Sequence, residues 1–480
     1  MFRTARIYAA AWLLAFVALG CATNPVTGKR ELSLVTASDE AQIGKDGFTA
    51  VKAEYGFYDN AALQAYVNGV GQRVGKSSHL PNLAWTYTVI DDPAVNAFAM
   101  PGGYIYITRG LLAYLNSEAQ LAAVLGHESG HVTARHSART ITQQELVGLG
   151  LGVVSIAVPG FQKYGQAAQT ALSLMFLKYS RDHETQADEL GVQYSTAAGY
   201  DSREMPATYA MLKRVAEVAG SSLPAFLSTH PDPGSREERT TALSRQATAG
   251  KTGLIIRGNE YIRQQDGIVY GVDPRQGYFE NEHYYHPSLG FQMTFPSGWK
   301  TQDSRQSVVA QSQDQSSAIQ MTIVDAGGGS PRDYVSELQR SGKIASASGG
   351  SETIGGYPAW VGRFQVTNSQ GQTSMLDAAY IQKSGQQMFQ VLGLPGQYES
   401  SIFSTARSFR ALTDPARLNV QPDRVHVVTA PRAGTFQDVV ASVGPQAVDV
   451  NTESILNNTF PDQPVQAGEL IKIVVPGHHR

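Results

Sequence analysis

Two pairs of side chains able to bind a metal, each spaced four residues apart, constrain this chain more than any other feature. They are His127 with His131, and Glu184 with Asp188. Residues i and i+4 lie on one face of a helix, so the spacing predicts two helices that each present a pair. The first pair reads His127-Glu128-Ser129-Gly130-His131. In this H-E-x-x-H pattern two imidazoles hold one metal ion and the intervening glutamate reaches a water on it. Ser117 and Gln120 have capping-box spacing and mark the helix start. Leu121, Val124, Leu125 and Val132 supply an apolar stripe at helical period. Gly126 and Gly130 each cost such a helix about 1 kcal/mol against Ala. They either admit a strand or substrate at close range or are tolerated in a tightly packed helix.

A catalytic metal of this type needs a third protein ligand. His127, His131 and Glu184 make the His₂Glu set of a catalytic zinc, one ion per chain, with the fourth position left to water. Glu128 is then the general base. Asp188 is placed to accept a hydrogen bond from the free ring N–H of a ligand histidine. Read alone, Glu184 and Asp188 suit a solvated helix face; beside the upstream motif the metal reading takes over. His136 and His183 are read as structural. His136 is five residues past His131, and His183 is turned about 100° from Glu184 on a helix. Ser228 to Arg236 is turn-rich and puts His230 on a loop. His230 then has two readings: a group acting at the metal, either on the oxyanion or in the open position, or a cap on the next helix. Arg236 is either an oxyanion partner or a structural carboxylate binder.

Four segments together resemble a known family: Asn96-Ala97-Phe98-Ala99-Met100-Pro101-Gly102-Gly103, the H-E-x-x-H helix continuing as Val132-Thr133-Ala134-Arg135-His136, the Glu184-x-x-x-Asp188 pair, and Thr229-His230-Pro231 with Arg236. They look like the Ste24/HtpX-type zinc metallopeptidases, in particular the bacterial lipoprotein branch with BepA-type envelope proteases. The resemblance spans residues 24–265. It implies a gluzincin-like fold, a bound zinc and endopeptidase activity.

Gly103-Tyr104-Ile105-Tyr106-Ile107-Thr108 has the β-branched and aromatic content of a strand. In a gluzincin-like fold this strand lies at the sheet edge over the zinc. Gly103, Tyr104, Ile105 and Tyr106 would then pair with an extended substrate by strand addition, with little sequence specificity. The alternative is a core strand. Leu146 to Val158 is apolar but has only 13 residues, short of the ~20 a membrane span needs. With Ala167 to Leu177 it reads as a helical hairpin packed between the two metal-bearing helices.

The N-terminus reads as a targeting segment. Arg3 and Arg6 precede the apolar run Ala9 to Leu19. Ala18-Leu19-Gly20-Cys21 resembles a bacterial lipobox, which makes residues 1–20 a lipoprotein signal peptide and Cys21 the lipidated residue. Ala22 follows rather than Asp, so the analogy favours an outer-membrane lipoprotein facing the periplasm. Cys21 is the one cysteine of the chain, which leaves no internal disulfide. A net charge of −3 gives no footprint for nucleic acid.

The fold class expected is α+β in three parts. Residues 21–265 form a mainly helical metallopeptidase domain with a small sheet. Residues 270–415 form an α+β module, in which Pro287 to Trp299 looks like the opening strand of a PsbP-like unit. Pro331 starts a helix there, at a position where its missing N–H costs little. Met375 to Leu394 is strand-like, and Trp299 and Trp360 are assigned to the core. Residues 420–476 are similar to a LysM module, a βααβ unit often used on peptidoglycan, although Gly434-Thr435-Phe436 lacks the usual Asp.

Two function classes follow. One is a zinc endopeptidase acting on misfolded or stalled envelope proteins. The other is a chaperone-like or peptidoglycan-binding assembly factor with a latent zinc site. Glu128 favours the first, because a pure binder has no use for a general base.

Overall fold

A computed structural model describes residues 21–151, 178–219, 225–230, 233–367, 373–395 and 397–477. The signal-peptide reading and most of the apolar hairpin lie outside these residues. The chain divides into two compact units. The first comprises residues through Val272 together with Asp423–Pro476; the second is centred on Asp273–Pro422. No helix among the described residues is long and apolar enough to cross a membrane.

In the first unit the helix Glu118–Thr133 runs through the middle, and nearly all its residues are buried. It starts at Ser117, whose hydroxyl accepts from Gln120 N–H. The reciprocal half of the expected capping box falls one residue earlier, because Gln120 Oε1 accepts from Asn116 N–H. The helix Arg181–Ala197 packs against it, capped by Ser180. This second helix is what Gly126 and Gly130 admit. A Cβ at Gly126 would stand 3.0 Å from the Gly191 carbonyl oxygen, and one at Gly130 would stand 3.1 Å from Leu190 Cβ. The two metal-facing pairs are therefore brought together by backbones that touch through glycine.

A three-stranded sheet lies beside the central helix, in the order Thr86–Ile90, Tyr104–Thr108, Ala97–Met100. The middle strand is parallel to the first and antiparallel to the last. This corrects the substrate-strand expectation. Gly103 to Tyr106 lead into and form the central strand, whose ladder groups face neighbours on both sides, so no peptide can add to it. The chain reverses at Pro101-Gly102-Gly103, where Gly102 and Gly103 take φ of 81° and 92°. Ala97–Met100 is thereby folded back as the outer strand, and it is this strand that lies next to the central helix.

Asp423–Pro476 packs into the same unit. Strands Arg424–Thr429 and Leu470–Val475 pair antiparallel around the helices Phe436–Ser442 and Val450–Leu456. Lys472 is fully buried, and its amine donates to the carbonyls of Ala113 and Leu115 at 2.7 and 2.8 Å. These carbonyls end the helix Arg109–Tyr114, where an amine donor satisfies groups left without a helical partner.

The second unit is built on a seven-stranded antiparallel sheet. Pro331 opens its helix Pro331–Arg340 behind a Ser330 capping box, and Met375 to Leu394 falls largely in the strands Thr373–Gln382 and Gln387–Gly393. Trp360 is buried and Trp299 half-buried. The segment expected to open the module supplies the strand Phe291–Thr294, but Tyr278–Glu280 and His283–His286 precede it in the same four-stranded sheet.

Candidate metal centre

His127, His131, Glu184 and His230 each offer one ligand atom, and these atoms all lie within 4.8 Å of one another in buried surroundings. His131 Nε2 stands 3.1 Å from His127 Nε2 and 3.5 Å from Glu184 Oε1. His230 Nδ1 stands 3.4 Å from His127 Nε2 and 2.9 Å from Glu184 Oε1. Three imidazole nitrogens converging on a carboxylate away from water are a donor set that suits a metal cation. The side chains present fit such an ion.

The central helix places His127 and His131 one turn apart and brings Glu128 beside the same cluster. Glu128 is 0% exposed, and neither of its carboxylate oxygens accepts a hydrogen bond. His230 Nε2 is 3.8 Å from its Oε1. Burial pushes the Glu128 carboxyl upward, against the pull of His230 and His127. Burial also raises Glu184, but His230 and Arg236 outweigh it and hold the group down at about 2. His131 is driven well down by burial and by the neighbouring imidazoles, which leaves it a neutral base, the form that binds metal.

Asp188 and Arg236 form the floor of the site. Asp188 Oδ1 is 3.1 Å from His127 Nδ1. Arg236 donates from Nε and Nη2 to the two Asp188 oxygens at 3.0 and 2.7 Å, and its Nη1 is 2.8 Å from Glu184 Oε2. One guanidinium thus ties both carboxylates of the second helix. Tyr209 donates to Asp188 Oδ1 at 2.6 Å, and Arg239 donates to Asp188 Oδ2. Arg236 is 2% exposed and held by these anions, which makes it a binder of carboxylates in this geometry.

His230 is not on a free loop. It closes the short helix Ala225–Thr229, its N–H donates to the Phe226 carbonyl at 2.7 Å, and its ring stacks on Phe226 at 4.4 Å. His136, read as structural from its distance to His131, bonds directly to that residue. The central helix ends at Thr133 and Arg135 takes φ of 55°, so a new helix begins at His136. That break swings the ring back until its Nδ1 lies 3.0 Å from His131 Nδ1. His183 stacks on His136 at 4.3 Å. Tyr209, Gln186 and Arg239 also touch the site residues, and no local pattern in the sequence announces them.

The geometry is that of an H-E-x-x-H metallohydrolase centre. Residues 61–245, which hold all of it, match the model of Peptidase family M48. Mitochondrial metalloendopeptidase OMA1 of Arabidopsis thaliana is 31% identical over 233 residues, covering 46% of this chain and 46% of that protein. OMA1 of Schizosaccharomyces pombe is 32% identical over 213 residues, covering 43% and 61%. The beta-barrel assembly-enhancing protease of Escherichia coli is 30% identical over 223 residues, covering 45% of each chain. The matches span between 45% and 61% of these three relatives' own lengths. The family match and the metalloendopeptidase names support a metal-dependent peptidase reading of residues 61–245. A solved cyanobacterial PsbP from Synechocystis sp. PCC 6803 aligns with a TM-score of 0.22 and 14% identity over 27% of this chain and 91% of that one.

Proposed function

We propose that the chain is a zinc-dependent endopeptidase in which His127, His131 and Glu184 hold the ion and Glu128 is the general base. The observation that carries this reading is Glu128: a fully buried carboxylate with no hydrogen-bond donor, beside a cluster of three imidazoles and a second carboxylate. A buried carboxylate without a partner is costly, and the water that attacks the substrate carbonyl is the partner this position suits. Zinc, when bound, supplies the Lewis acidity that activates water and polarises the scissile carbonyl. Glu128 takes the proton as the water oxygen attacks the carbonyl carbon. It returns that proton to the amine nitrogen as the C–N bond breaks. Asp188 and Arg236 fix His127 and Glu184. The outer strand Ala97–Met100, in place of Tyr104–Thr108, is the one positioned to receive an extended peptide.

In the resting protein His230 competes for the open position, and its withdrawal admits substrate. The substrates are misfolded or stalled envelope proteins, by analogy with the relative named for beta-barrel assembly, which also supports the BepA-type branch. Lipidation of Cys21 places the chain on the periplasmic face of a bacterial outer membrane. Residues 270–415 are a PsbP-like module, and residues 420–476 a LysM-like module available to peptidoglycan. Metal analysis and casein hydrolysis test the enzymatic reading: one zinc per chain, with activity lost to a chelator and restored by zinc. Full hydrolysis by metal-free protein contradicts it. Fatty-acid labelling of wild type but not of Cys21→Ala tests the anchor.

A further inference from the structure

Each ring nitrogen of a neutral histidine has one role, donor or acceptor, and the partner of one nitrogen decides the other. Three side chains in this site form a line in which that rule propagates. Gln186 Oε1 lies 3.0 Å from His136 Nε2, and His136 Nδ1 lies 3.0 Å from His131 Nδ1. At the far end, His131 Nε2 faces His127 and Glu184 in the donor cluster. A carbonyl oxygen can only accept, so His136 donates from Nε2. His136 is fully buried, and a neutral imidazole has a single N–H, which Gln186 engages at Nε2, so its Nδ1 carries the lone pair. That lone pair can only accept, so His131 carries its proton on Nδ1. The lone pair of His131 is then on Nε2, the atom that faces the cluster.

We propose that His136 is a positioning residue that, oriented by Gln186, holds His131 in the Nδ1–H tautomer and so pre-sets its Nε2 as a metal ligand. The inference rests on the zinc reading above. The two ligand histidines then have different supports: a carboxylate, Asp188, behind His127 and a neutral imidazole behind His131. An anion behind a ligand increases its basicity, whereas a neutral acceptor orients the ring without adding charge. The helix break at Arg135 is what permits this arrangement, since a continuous helix would carry His136 away from the face of His131.

The test compares His136→Asn, His136→Leu and Gln186→Glu with wild type. Zinc affinity is read by chelator competition, and imidazole ¹⁵N shifts are read in the metal-free, histidine-labelled protein. Asn keeps an acceptor oxygen near the Nδ1 position, and Glu keeps an acceptor at position 186. Both variants should bind zinc within about threefold of wild type or tighter. Leu strands the His131 N–H and should weaken zinc binding about 10–100-fold, the usual cost of losing the partner behind a ligand histidine. In the metal-free wild type, His131 should show the Nδ1–H pattern, lost in the Leu variant. Undiminished zinc affinity in a folded His136→Leu protein overturns the proposal. So does equal loss in the Asn and Leu variants, which makes the role one of packing, and so does loss in Gln186→Glu. A wild type that takes up no zinc defeats the zinc reading instead, and the tautomer of His131 then decides the hydrogen-bond chain by itself.

Discussion

Asp188 Oδ1 stands 3.1 Å from His127 Nδ1 while the same carboxylate is gripped by the Arg236 guanidinium. The acid orients the histidine and the arginine orients the acid. Burial alone would raise Asp188, but Arg236 and His127 hold it well below the usual carboxylate range. Asp188→Asn should therefore lower zinc affinity by about 10–100-fold. Asp188→Ala should also destabilise the fold by about 3–5 kcal/mol, because it strips a buried arginine of its main partner. Zinc titration and urea denaturation measure the two effects. Unchanged affinity in both variants would show that Asp188 does not act on His127.

The glycine contacts between the two metal-bearing helices predict an unusual sign. Gly→Ala in a helix interior normally stabilises, by up to about 1 kcal/mol. At Gly191 the added Cβ would lie 3.1 Å from His127 N and 3.2 Å from His127 Cα, backbone atoms that cannot rotate aside. Gly191→Ala should instead cost about 1–3 kcal/mol, in the range of overpacking. It should also weaken zinc binding by displacing His127 from Glu184. A stabilised variant with normal zinc affinity would refute the account of how the pairs are held.

These contacts mark where sequence reading succeeds and where it stops. His127, Glu128, His131 and Glu184 were legible because helical phase is local and the chemistry is written into the spacing. The place of His136 was not, because one left-handed residue, Arg135, breaks the phase on which that reading relied. The order of the small sheet was illegible for another reason. The composition of Tyr104–Thr108 marks it as a strand, but whether a strand is central depends on its partners, and the hairpin at Gly102-Gly103 puts Ala97–Met100 outside it. The burial of Lys472 against Ala113 and Leu115 joins segments more than 350 residues apart, beyond any local pattern.

His230 sits 2.9 Å from Glu184 and 3.8 Å from Glu128, stacked on Phe226. Burial disfavours its protonated form, yet the two carboxylates raise its pKa on balance. If it occupies the open position at rest, His230→Ala at matched zinc content should cleave casein several-fold faster. Slower cleavage with zinc retained would assign His230 to oxyanion stabilisation. An unchanged rate would remove it from the chemistry and leave it as the end of its helix.

A pH effect should appear far from the metal. Glu453 is 0% exposed, and burial pushes its carboxyl up to about 7, with Asp449 adding to the rise and Val474 N–H and Lys472 opposing it. Between pH ~4.5 and ~7 the folded protein holds a proton there that the unfolded chain has released. Raising the pH through this window therefore lowers stability, by on the order of 3 kcal/mol in total. Lys472, lowered by burial, acts in the opposite sense, because the unfolded chain binds its proton more tightly. Glu453→Gln retains Lys472, so the difference between variant and wild type reports the acid together with its coupling to Lys472. The variant should gain on wild type between pH 5 and pH 8 in denaturant titrations. A constant difference would mean that Glu453 titrates normally.

The central claim is that Glu128 moves the proton in peptide hydrolysis at a site whose ligands do not include it. Glu128→Gln tests this most directly, with zinc content and casein cleavage measured on the same preparation. The account predicts one zinc per chain, as in wild type, with hydrolysis reduced by at least about 100-fold, in line with the loss of a general base. A metal-loaded variant that cleaves at near the wild-type rate would contradict it.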